Sequence, residues 1–233
     1  FLVEGPQAVR ELLVHSPELA VAVYATTGNE PWQFEMDRLA DAADVEIVRV
    51  TDEVLAAMAE TVQPQGVVAV ARIERASLAD SLSGARLVAV LHEVRDPGNA
   101  GTVLRAADAA GADAVVFAGE SIDPWHPKVV RSTTGSLFHL AVATAATLAE
   151  AIDAVRAAGL AVVAADVNGD ELNAGDASLA QPTAWVFGNE ARGLTAADRA
   201  LTDRALRLPI YGKAESLNLA TADDEDGIGV GQF

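Results

Sequence analysis

Short apolar runs alternate with longer amphipathic segments along the chain, which predicts an α/β protein. In the first part of the chain the pattern predicts strands over 20–26, 45–50 and 67–73. It predicts helices over 6–14 and 34–43, and a third helix that begins at 51–53. The polar stretch that follows predicts a linker. We therefore expect a small α/β domain over 1–74, a linker over 75–84 and a second domain over 85–233.

The second domain repeats the alternation, and its strands are apolar throughout rather than on every other residue. Continuously apolar strands separated by helices indicate a parallel sheet that is covered on both faces. The predicted strands are 87–91, 114–117, 160–165, 184–187 and 205–208, and the predicted helices are 101–110, 128–136, 147–158 and 195–201.

Composition narrows the class of protein further. With 51% hydrophobic and 21% charged residues the chain is globular rather than disordered. The absence of Cys excludes a disulfide scaffold and a thiolate metal site and fits a cytoplasmic location. No apolar run is long enough for a membrane helix, so no membrane association is expected.

Charge, taken alone, argues against a nucleic-acid partner. The chain has 34 acidic and 16 basic side chains and a formal net charge of −18. The acidic excess extends over both predicted domains, whereas phosphate binding is usually driven by basic surfaces.

Three segments place glycine and polar residues directly after predicted strands, where open α/β sheets bind ligands. Each has an ordinary structural explanation when it is considered separately: a glycine turn, a glutamate at a helix N-terminus, and a serine cap. None is a Gly-x-Gly-x-x-Gly or P-loop motif, which disfavours nucleotide cofactors of those types. The segments are HEVRDPGNAGTVLRAADAAG at 92–111, WVFGNEARGL at 185–194 and LPIYGKAESLNLATA at 208–222.

Taken together, these segments resemble the three motifs of the SpoU (TrmH) family of RNA methyltransferases, in the same order and spacing. The stretch KVVRSTTGSLFHL at 128–140 resembles an additional R-x-S-x-G element of that family. The resemblance covers about 85–222, and the first domain is similar to the ribosomal-protein-like substrate-binding domain that many members carry. Because such a set of motifs is very unlikely to arise by chance, the resemblance outweighs the argument from charge against an RNA partner.

The resemblance implies transfer of the methyl group of S-adenosylmethionine to a ribose 2′-hydroxyl of RNA. It also implies a homodimer and a C-terminal trefoil knot in the parallel-sheet domain, which is a rare exception to the rule against knots. The additional N-terminal domain favours rRNA over tRNA as the substrate. Two alternatives stay open: the same chemistry on tRNA, and a non-catalytic RNA-binding protein that has kept the fold.

Carried over by position, the resemblance supplies three sets of site residues. The reaction site comprises Asn99, Arg105, Glu190, Ser216 and Asn218. The cofactor is held by Gly188, Leu208, Ile210 and Leu217. RNA is bound by a localised basic surface comprising Arg105, Lys128 and Arg131.

Physical chemistry suggests roles within the reaction site. The sulfonium already activates the methyl group, so the protein must orient the ribose and help to remove a hydroxyl proton. Arg105 is a poor base because a guanidinium holds its proton, and it is better suited to grip a phosphate bidentately. We expect Glu190 or an ordered water to accept the proton, with Asn99 and Asn218 fixing orientations.

No metal is expected from the sequence, because His92, His126 and His139 are far apart and lack metal-ligand spacing. The last residues depart from the family pattern. Four acids at 223–226 and the glycines that follow oppose a C-terminal helix, so we expect an altered or misassigned tail. Since residue 1 is Phe, we also expect a natural segment to precede it.

Overall fold

The computed structural model describes residues 1–28, 30–173, 175–209 and 211, which form two compact units. Unit 1 consists of Phe1–Glu74 together with Trp125–His139. Unit 2 consists of Arg75–Pro124 together with the described residues from Leu140 onwards. In the described part of the chain no helix has the length and apolarity needed to cross a membrane.

Unit 1 is built on a four-stranded mixed sheet with the strand order β1-β4-β2-β3. Strand β4 runs antiparallel to both of its neighbours, and β2 and β3 are parallel. Its elements are β1 (Leu2–Glu4), α1 (Pro6–His15), β2 (Ala20–Thr26), α2 (Pro31–Ala42), β3 (Ile47–Val50), α3 (Asp52–Met58) and β4 (Val67–Ala71). Each strand and helix predicted for this part of the chain is present, although α2 begins at Pro31 rather than at residue 34. Strand β1 was not predicted, because three residues are too few to give an alternating pattern.

Unit 1 also contains a segment from much later in the chain. Helix α6 (Pro127–Ser132) and the 3-10 turn after it pack against β1 and α1. The ring of Phe138 stacks on that of Phe1 with centroids 6.4 Å apart, and the hydroxyl of Ser16 donates a hydrogen bond to the Phe138 carbonyl. The segment 125–139 is therefore an integral part of unit 1.

Helix α6 is shorter than the sequence pattern predicts. A helix was expected over 128–136, but it ends at Ser132. The next turn contains Thr134 with a φ of 50° and Gly135 with a φ of 110°. Left-handed backbone at two successive residues cannot continue a right-handed helix, which explains the early end.

Unit 2 contains a six-stranded sheet with the order β10-β8-β9-β5-β6-β7, and every neighbouring pair is parallel. This confirms the predicted parallel sheet. Its elements are α4 (Leu78–Ser81), β5 (Leu87–His92), α5 (Pro97–Ala109), β6 (Ala114–Ala118), β7 (Ala141–Ala145), α7 (Leu148–Ala157), β8 (Ala161–Glu171), β9 (Thr183–Phe187), α8 (Ala196–Ala200) and β10 (Arg204–Arg207).

Three details of unit 2 differ from the sequence prediction. The predicted linker contains α4, and Leu82 directly after it is fully buried in the core. Strand β7 was not predicted, because its apolar run is short and no strong turn signal precedes it. Strand β8 continues to Glu171, beyond the apolar residues that predicted it, since its last part pairs with β10.

Helix α5 differs in a way that matters for the site. The sequence predicted a loop through DPGNAG and a helix from 101, but α5 begins at Pro97. The Asp96 carboxylate accepts a hydrogen bond from the Asn99 backbone N–H at 2.8 Å, and proline suits the first helical position. The polar motif is therefore the first turn of a helix rather than a flexible loop. Residues 212–233, which include the predicted knot segment and the unusual tail, lie outside the described residues.

Candidate active site

The central strands of unit 2 place two of the three sequence motifs at one edge of the sheet. Strands β5 and β9 are parallel neighbours, with Leu91 paired to Phe187. The segments that follow them therefore leave the sheet at the same edge. From β5 the chain continues to β6 on one side, whereas β9 lies on the other side of β5. This is a topological switch point, the position at which α/β sheets bind ligands.

The first motif forms the turn into α5. Asn99 lies half-buried in the first turn of the helix, and Arg105 is exposed further along it. Only the backbone of Asn99 is engaged locally, through Asp96. Within the described residues, neither the Asn99 side chain nor the Arg105 guanidinium makes a hydrogen bond or an ion pair.

The second motif folds back on itself directly after β9. Gly188 lies so close to Gly193 that an added Cβ would be 2.6 Å from the Gly193 carbonyl carbon. Between them, the Asn189 side-chain oxygen accepts hydrogen bonds from the backbone N–H groups of Ala191 and Arg192 at 3.0 and 3.3 Å. The glycines and the asparagine thus give this loop a fixed shape.

The same loop is tied to the turn that precedes α5. The Asn189 side chain donates to the Glu93 carbonyl at 2.8 Å, and Arg192 forms an ion pair with the Glu93 carboxylate. The Glu190 Oε1 atom accepts hydrogen bonds from the backbone N–H groups of Arg95 at 3.1 Å and Asp96 at 3.0 Å. Glu190 is exposed, but its carboxylate is held by the main chain at the entrance to α5.

Two family models match the chain on either side of the linker region. The model described as the SpoU rRNA Methylase family matches residues 86–224, and the model of the RNA 2′-O ribose methyltransferase substrate-binding domain matches residues 2–76. The chain belongs to the SpoU family. The resemblance inferred from the three motifs is confirmed.

Curated SpoU relatives resemble the chain over almost its whole length. The "23S rRNA (guanosine(2553)-2'-O)-methyltransferase RlmP" of Bacillus subtilis is 34% identical over 95% of this chain and 84% of the relative. The "23S rRNA (guanosine-2'-O-)-methyltransferase RlmB" of Bordetella pertussis is 32% identical over 94% of this chain and 91% of the relative.

Solved structures agree with the sequence relatives. The SpoU methyltransferase AviRb from Streptomyces viridochromogenes, in complex with the cofactor AdoMet, gives a TM-score of 0.80 at 31% identity, over 95% of this chain and 85% of AviRb. An AdoMet-bound rRNA methyltransferase from Sinorhizobium meliloti gives 0.79 at 30% identity, over 100% of this chain and 85% of that protein.

The SpoU site residues predicted from the sequence are only partly brought together. Glu190 contacts the entrance to α5, whose first turn contains Asn99, and Arg105 lies on the same helix about two turns further along. Gly188 and Leu208 follow β9 and β10 and are both partly accessible. The remaining predicted positions, Ile210, Ser216, Leu217 and Asn218, lie outside the described residues.

The predicted RNA-binding residues are divided between the two units. Arg105 belongs to unit 2, whereas Lys128 and Arg131 lie on α6 in unit 1. Lys128 is exposed. Arg131 is half-buried, and its Nη1 atom lies 3.7 Å from a carboxylate oxygen of Glu4, so part of its charge is already balanced.

Two residues of the site were missed at the sequence level. Asn189 and Glu93 were not singled out, yet their contact joins the two loops. The signal that could have found Asn189 is its position between a strand end and a carboxylate in FGNEARGL, since asparagine often organises tight turns through its side chain.

His92 and Asp198 form a polar pair between the end of β5 and the first turn of α8. The Nε2 atom of His92 lies 3.5 Å from an Asp198 carboxylate oxygen. Burial tends to raise the pKa of Asp198, but hydrogen bonds from Thr195 and the neighbouring His92 outweigh it, so that this pKa lies below its ordinary value. Asp198 thereby holds the start of α8 in place.

Proposed function

We propose that this chain transfers the methyl group of S-adenosylmethionine to a ribose 2′-hydroxyl of ribosomal RNA. The observation that carries the proposal is the cross-braced edge of β5 and β9. There Asn189 and Glu190 fix the entrance to α5. The side chains of Asn99 and Arg105 make no hydrogen bond with other described residues. Polar groups held on a rigid frame but left unpaired are suited to bind a substrate. The names of the rRNA-methylating relatives support the same activity.

The described residues fit a cofactor held mainly by backbone groups. Gly188 and Leu208 stand at strand ends, are partly accessible and present main-chain donors and acceptors with no charged side chain. We assign them, with Ile210 and Leu217, to cofactor binding. When bound, S-adenosylmethionine supplies a methyl group that its sulfonium has already made electrophilic, so the proposed transfer needs no metal.

Arg105 is proposed to bind the phosphate next to the target ribose. Its guanidinium is exposed and has no partner among the described residues, so both of its donor edges are available. A guanidinium keeps its proton throughout the physiological pH range and grips phosphate with two parallel hydrogen bonds. In this position its charge also stabilises the oxyanion that develops as the 2′-hydroxyl loses its proton.

Glu190 is proposed to position the site rather than to accept the proton itself. Its Oε1 already accepts two backbone N–H groups, and its Oε2 receives a longer bond from the Asn189 side chain at 3.3 Å. Such a carboxylate secures the turn that presents Asn99. The proton then passes to an ordered water, and Asn99, Ser216 and Asn218 are proposed to orient the ribose.

The larger organisation of the protein is proposed from its SpoU membership. Residues 1–74 form the RNA-binding domain and 75–84 connect it to the methyltransferase domain at 85–233, whose segment 125–139 packs in unit 1. We propose a trefoil knot for the C-terminal part, a homodimer of two chains and a cytoplasmic location. Sedimentation velocity tests the dimer directly.

RNA recognition by so acidic a protein requires basic side chains that contact phosphates locally. We propose that Lys128 and Arg131 in unit 1 and Arg105 in unit 2 contact phosphates. Binding should then weaken steeply as salt increases, because each neutralised phosphate releases counterions. An affinity that is independent of salt would contradict this.

The decisive experiment measures transfer of labelled methyl groups to unmodified rRNA and, separately, to unmodified tRNA. We expect label in rRNA only, at a nucleotide that becomes resistant to alkaline cleavage because its 2′-oxygen is blocked. Label in tRNA only would establish the alternative substrate. Calorimetry with S-adenosylmethionine supplies the control, since failure to bind the cofactor would indicate an RNA-binding protein without this activity.

A further inference from the structure

Unit 1 contains a compact group of side chains that methyl transfer does not use. We call Glu11, His15 and His139 the Glu11 cluster. Glu11 and His15 are four residues apart and share one face of the ten-residue helix α1. His139 arrives from the other end of unit 1, directly after the 3-10 turn Ser136–Phe138.

The possible ligand atoms of the cluster lie close together. The Oε2 atom of Glu11 lies 3.2 Å from the Nε2 atom of His15 and 3.1 Å from that of His139. The two imidazole rings are 4.4 Å apart and inclined by 66°. All three ligand atoms lie within 4.8 Å of one another.

The two distances from Glu11 Oε2 are close to those of a tetrahedral zinc site. Ligand bonds of about 2.0–2.2 Å give distances of roughly 3.3–3.6 Å between neighbouring ligand atoms in a tetrahedron. Two imidazoles with one carboxylate, plus a water molecule, form a ligand set that zinc uses in proteins. An ion at this position would take the Nε2 lone pairs of both imidazoles in place of their present contacts with Glu11 Oε2.

The surroundings of Glu11 are those of a supported ligand. Its other oxygen, Oε1, accepts hydrogen bonds from Gln7 Nε2 at 2.6 Å and Arg10 Nη1 at 2.7 Å, which leaves Oε2 for an ion. Arg10 also contacts the Glu35 carboxylate at 2.9 Å. With neutral imidazoles, the two carboxylates outnumber the one guanidinium, and the local charge favours a cation.

Burial fixes the carboxylate and leaves access for an ion. Glu11 is 6% exposed, whereas the side chains of His15 and His139 are 46% and 27% exposed. On its buried side Glu11 packs so tightly against Gly135 that an added Cβ there would lie 2.3 Å from the Glu11 Cγ. An ion can therefore approach from solvent, with a water molecule as the fourth ligand.

We propose that the Glu11 cluster binds one Zn²⁺ ion through Glu11 Oε2, His15 Nε2 and His139 Nε2. The ion would cross-link α1 to the segment 125–139 within unit 1, a structural role apart from the methyl-transfer chemistry. The sequence expectation of no metal considered His139 with two other histidines. It missed His15, which approaches His139 only in the folded chain.

The test uses the full chain without a histidine tag, freed of metal by a chelator and titrated with Co²⁺ and then Zn²⁺. We expect one equivalent of Co²⁺ with the visible absorption of a tetrahedral site, displaced stoichiometrically by Zn²⁺. His15→Gln and His139→Gln should lose this binding. Gln7→Ala should weaken it roughly tenfold, the usual cost of removing a group that orients a ligand.

The matched control is His126→Asn. His126 caps α6 through its Nδ1 atom in the same unit, and asparagine preserves a cap while removing an imidazole. This variant should bind Co²⁺ like the wild type, and Zn²⁺ should raise the melting temperature of both but not that of His15→Gln, because only an ion bound to the native state stabilises it. The proposal is overturned if no tetrahedral spectrum develops, or if His15→Gln binds as tightly as the control.

Discussion

The candidate active site and the Glu11 cluster handle polar side chains in opposite ways. In the active site, Asn99 and Arg105 have no side-chain partner among the described residues. In the Glu11 cluster, both carboxylate oxygens are in contact with nitrogen atoms of Gln7, Arg10 and the two histidines. An exposed group can stay unpaired at little cost because water solvates it, whereas a buried carboxylate must be paired.

The comparison predicts where substitutions will act. Changes to unpaired, exposed residues of the active site should affect activity and leave stability unchanged. Changes to the paired residues of the cluster should affect stability first. Glu190 is an intermediate case, since it is exposed but bonded to the main chain.

The largest effect is expected for Arg105→Lys. Lysine keeps the positive charge but loses the two-pronged grip on phosphate and on the developing oxyanion. We expect kcat/KM for rRNA to fall by about 10²–10³-fold, the usual cost of losing one such stabilising donor. Cofactor affinity and melting temperature should not change.

The matched control for this substitution is Arg86→Lys. Arg86 is also exposed but precedes β5, at the edge of the sheet opposite the site. Its replacement should leave turnover unaltered. Wild-type activity in Arg105→Lys, or an equal loss of cofactor binding, would contradict the proposed phosphate contact.

The second effect concerns stability, and Glu11→Ala should show it. Removing the carboxylate takes one hydrogen bond from Gln7 and one from Arg10, which keeps only Glu35 among the described residues, and hydrogen bonds to charged groups contribute about 1.5–3 kcal/mol each. We expect a loss of about 2 kcal/mol in the free energy of unfolding, measured with urea in the presence of a chelator. Glu46→Ala, at an exposed position in the same unit, is the control. Equal stability of the two variants would mean that the cluster contributes nothing.

Glu11 should also make the free energy of unfolding decrease as the pH falls. Burial tends to raise the pKa of Glu11, but hydrogen bonds from His139 and Arg10 outweigh it and hold this pKa below its ordinary value. A lowered folded-state pKa means that the contribution is complete above the unfolded-state value of about 4.3 and is lost as the pH falls. The difference between Glu11→Ala and the wild type should therefore narrow on acidification.

Local sequence patterns were sufficient to predict most of the fold. Strand β2 was predicted with both ends correct, and β5 and β9 to within one residue, because each is a short apolar run that is bounded by polar or turn-forming residues. The start of α5 was missed, although Asp96 and Pro97 form a standard helix opening. Glycines at 98 and 101 were given too much weight as signs of a loop.

The contacts that define the two sites could not be predicted from local patterns. The main-chain bonds of Glu190 join residues 94 and 95 positions apart, and the contact between Glu11 and His139 spans 128 positions. Such pairings depend on how the sheet and helices pack. A resemblance between motifs could therefore identify Glu190 as a site residue but not show that its carboxylate already binds the backbone.

The third prediction tests whether Glu190 positions the site or accepts the proton. Glu190→Gln keeps an oxygen that can accept from Arg95 and Asp96, so as a positioning residue it should retain most activity. Glu190→Ala leaves both amides without that acceptor and should reduce kcat by roughly tenfold, consistent with one lost charge-assisted hydrogen bond of about 1.5 kcal/mol or more. The pH–rate profile of Glu190→Gln should match that of the wild type. If both variants lose activity to the same large extent, and the acidic limb is absent from the pH–rate profile of the residual activity, Glu190 is the proton acceptor instead.

The smallest effect on stability is expected at Asp203 in unit 2, whose carboxylate is paired but half-exposed. The Asp203 carboxylate accepts the Val162 backbone N–H at 2.8 Å and a guanidinium hydrogen bond from Arg156 at 2.6 Å. These two bonds, the backbone one foremost, hold the pKa of Asp203 below its ordinary value. Because the side chain is 45% exposed, solvent screens the pair, and Asp203→Asn should cost less than about 1 kcal/mol near neutral pH.

The contribution of Asp203 to stability is complete above an unfolded-state pKa of about 3.9 and is lost as the pH falls through the lower folded-state value. The wild type and the variant should therefore converge in stability at acid pH. Urea unfolding at neutral and acid pH measures this, with the exposed Asp41→Asn as the control. A loss as large as that of Glu11→Ala would show that burial does not decide how much a paired carboxylate contributes in this protein.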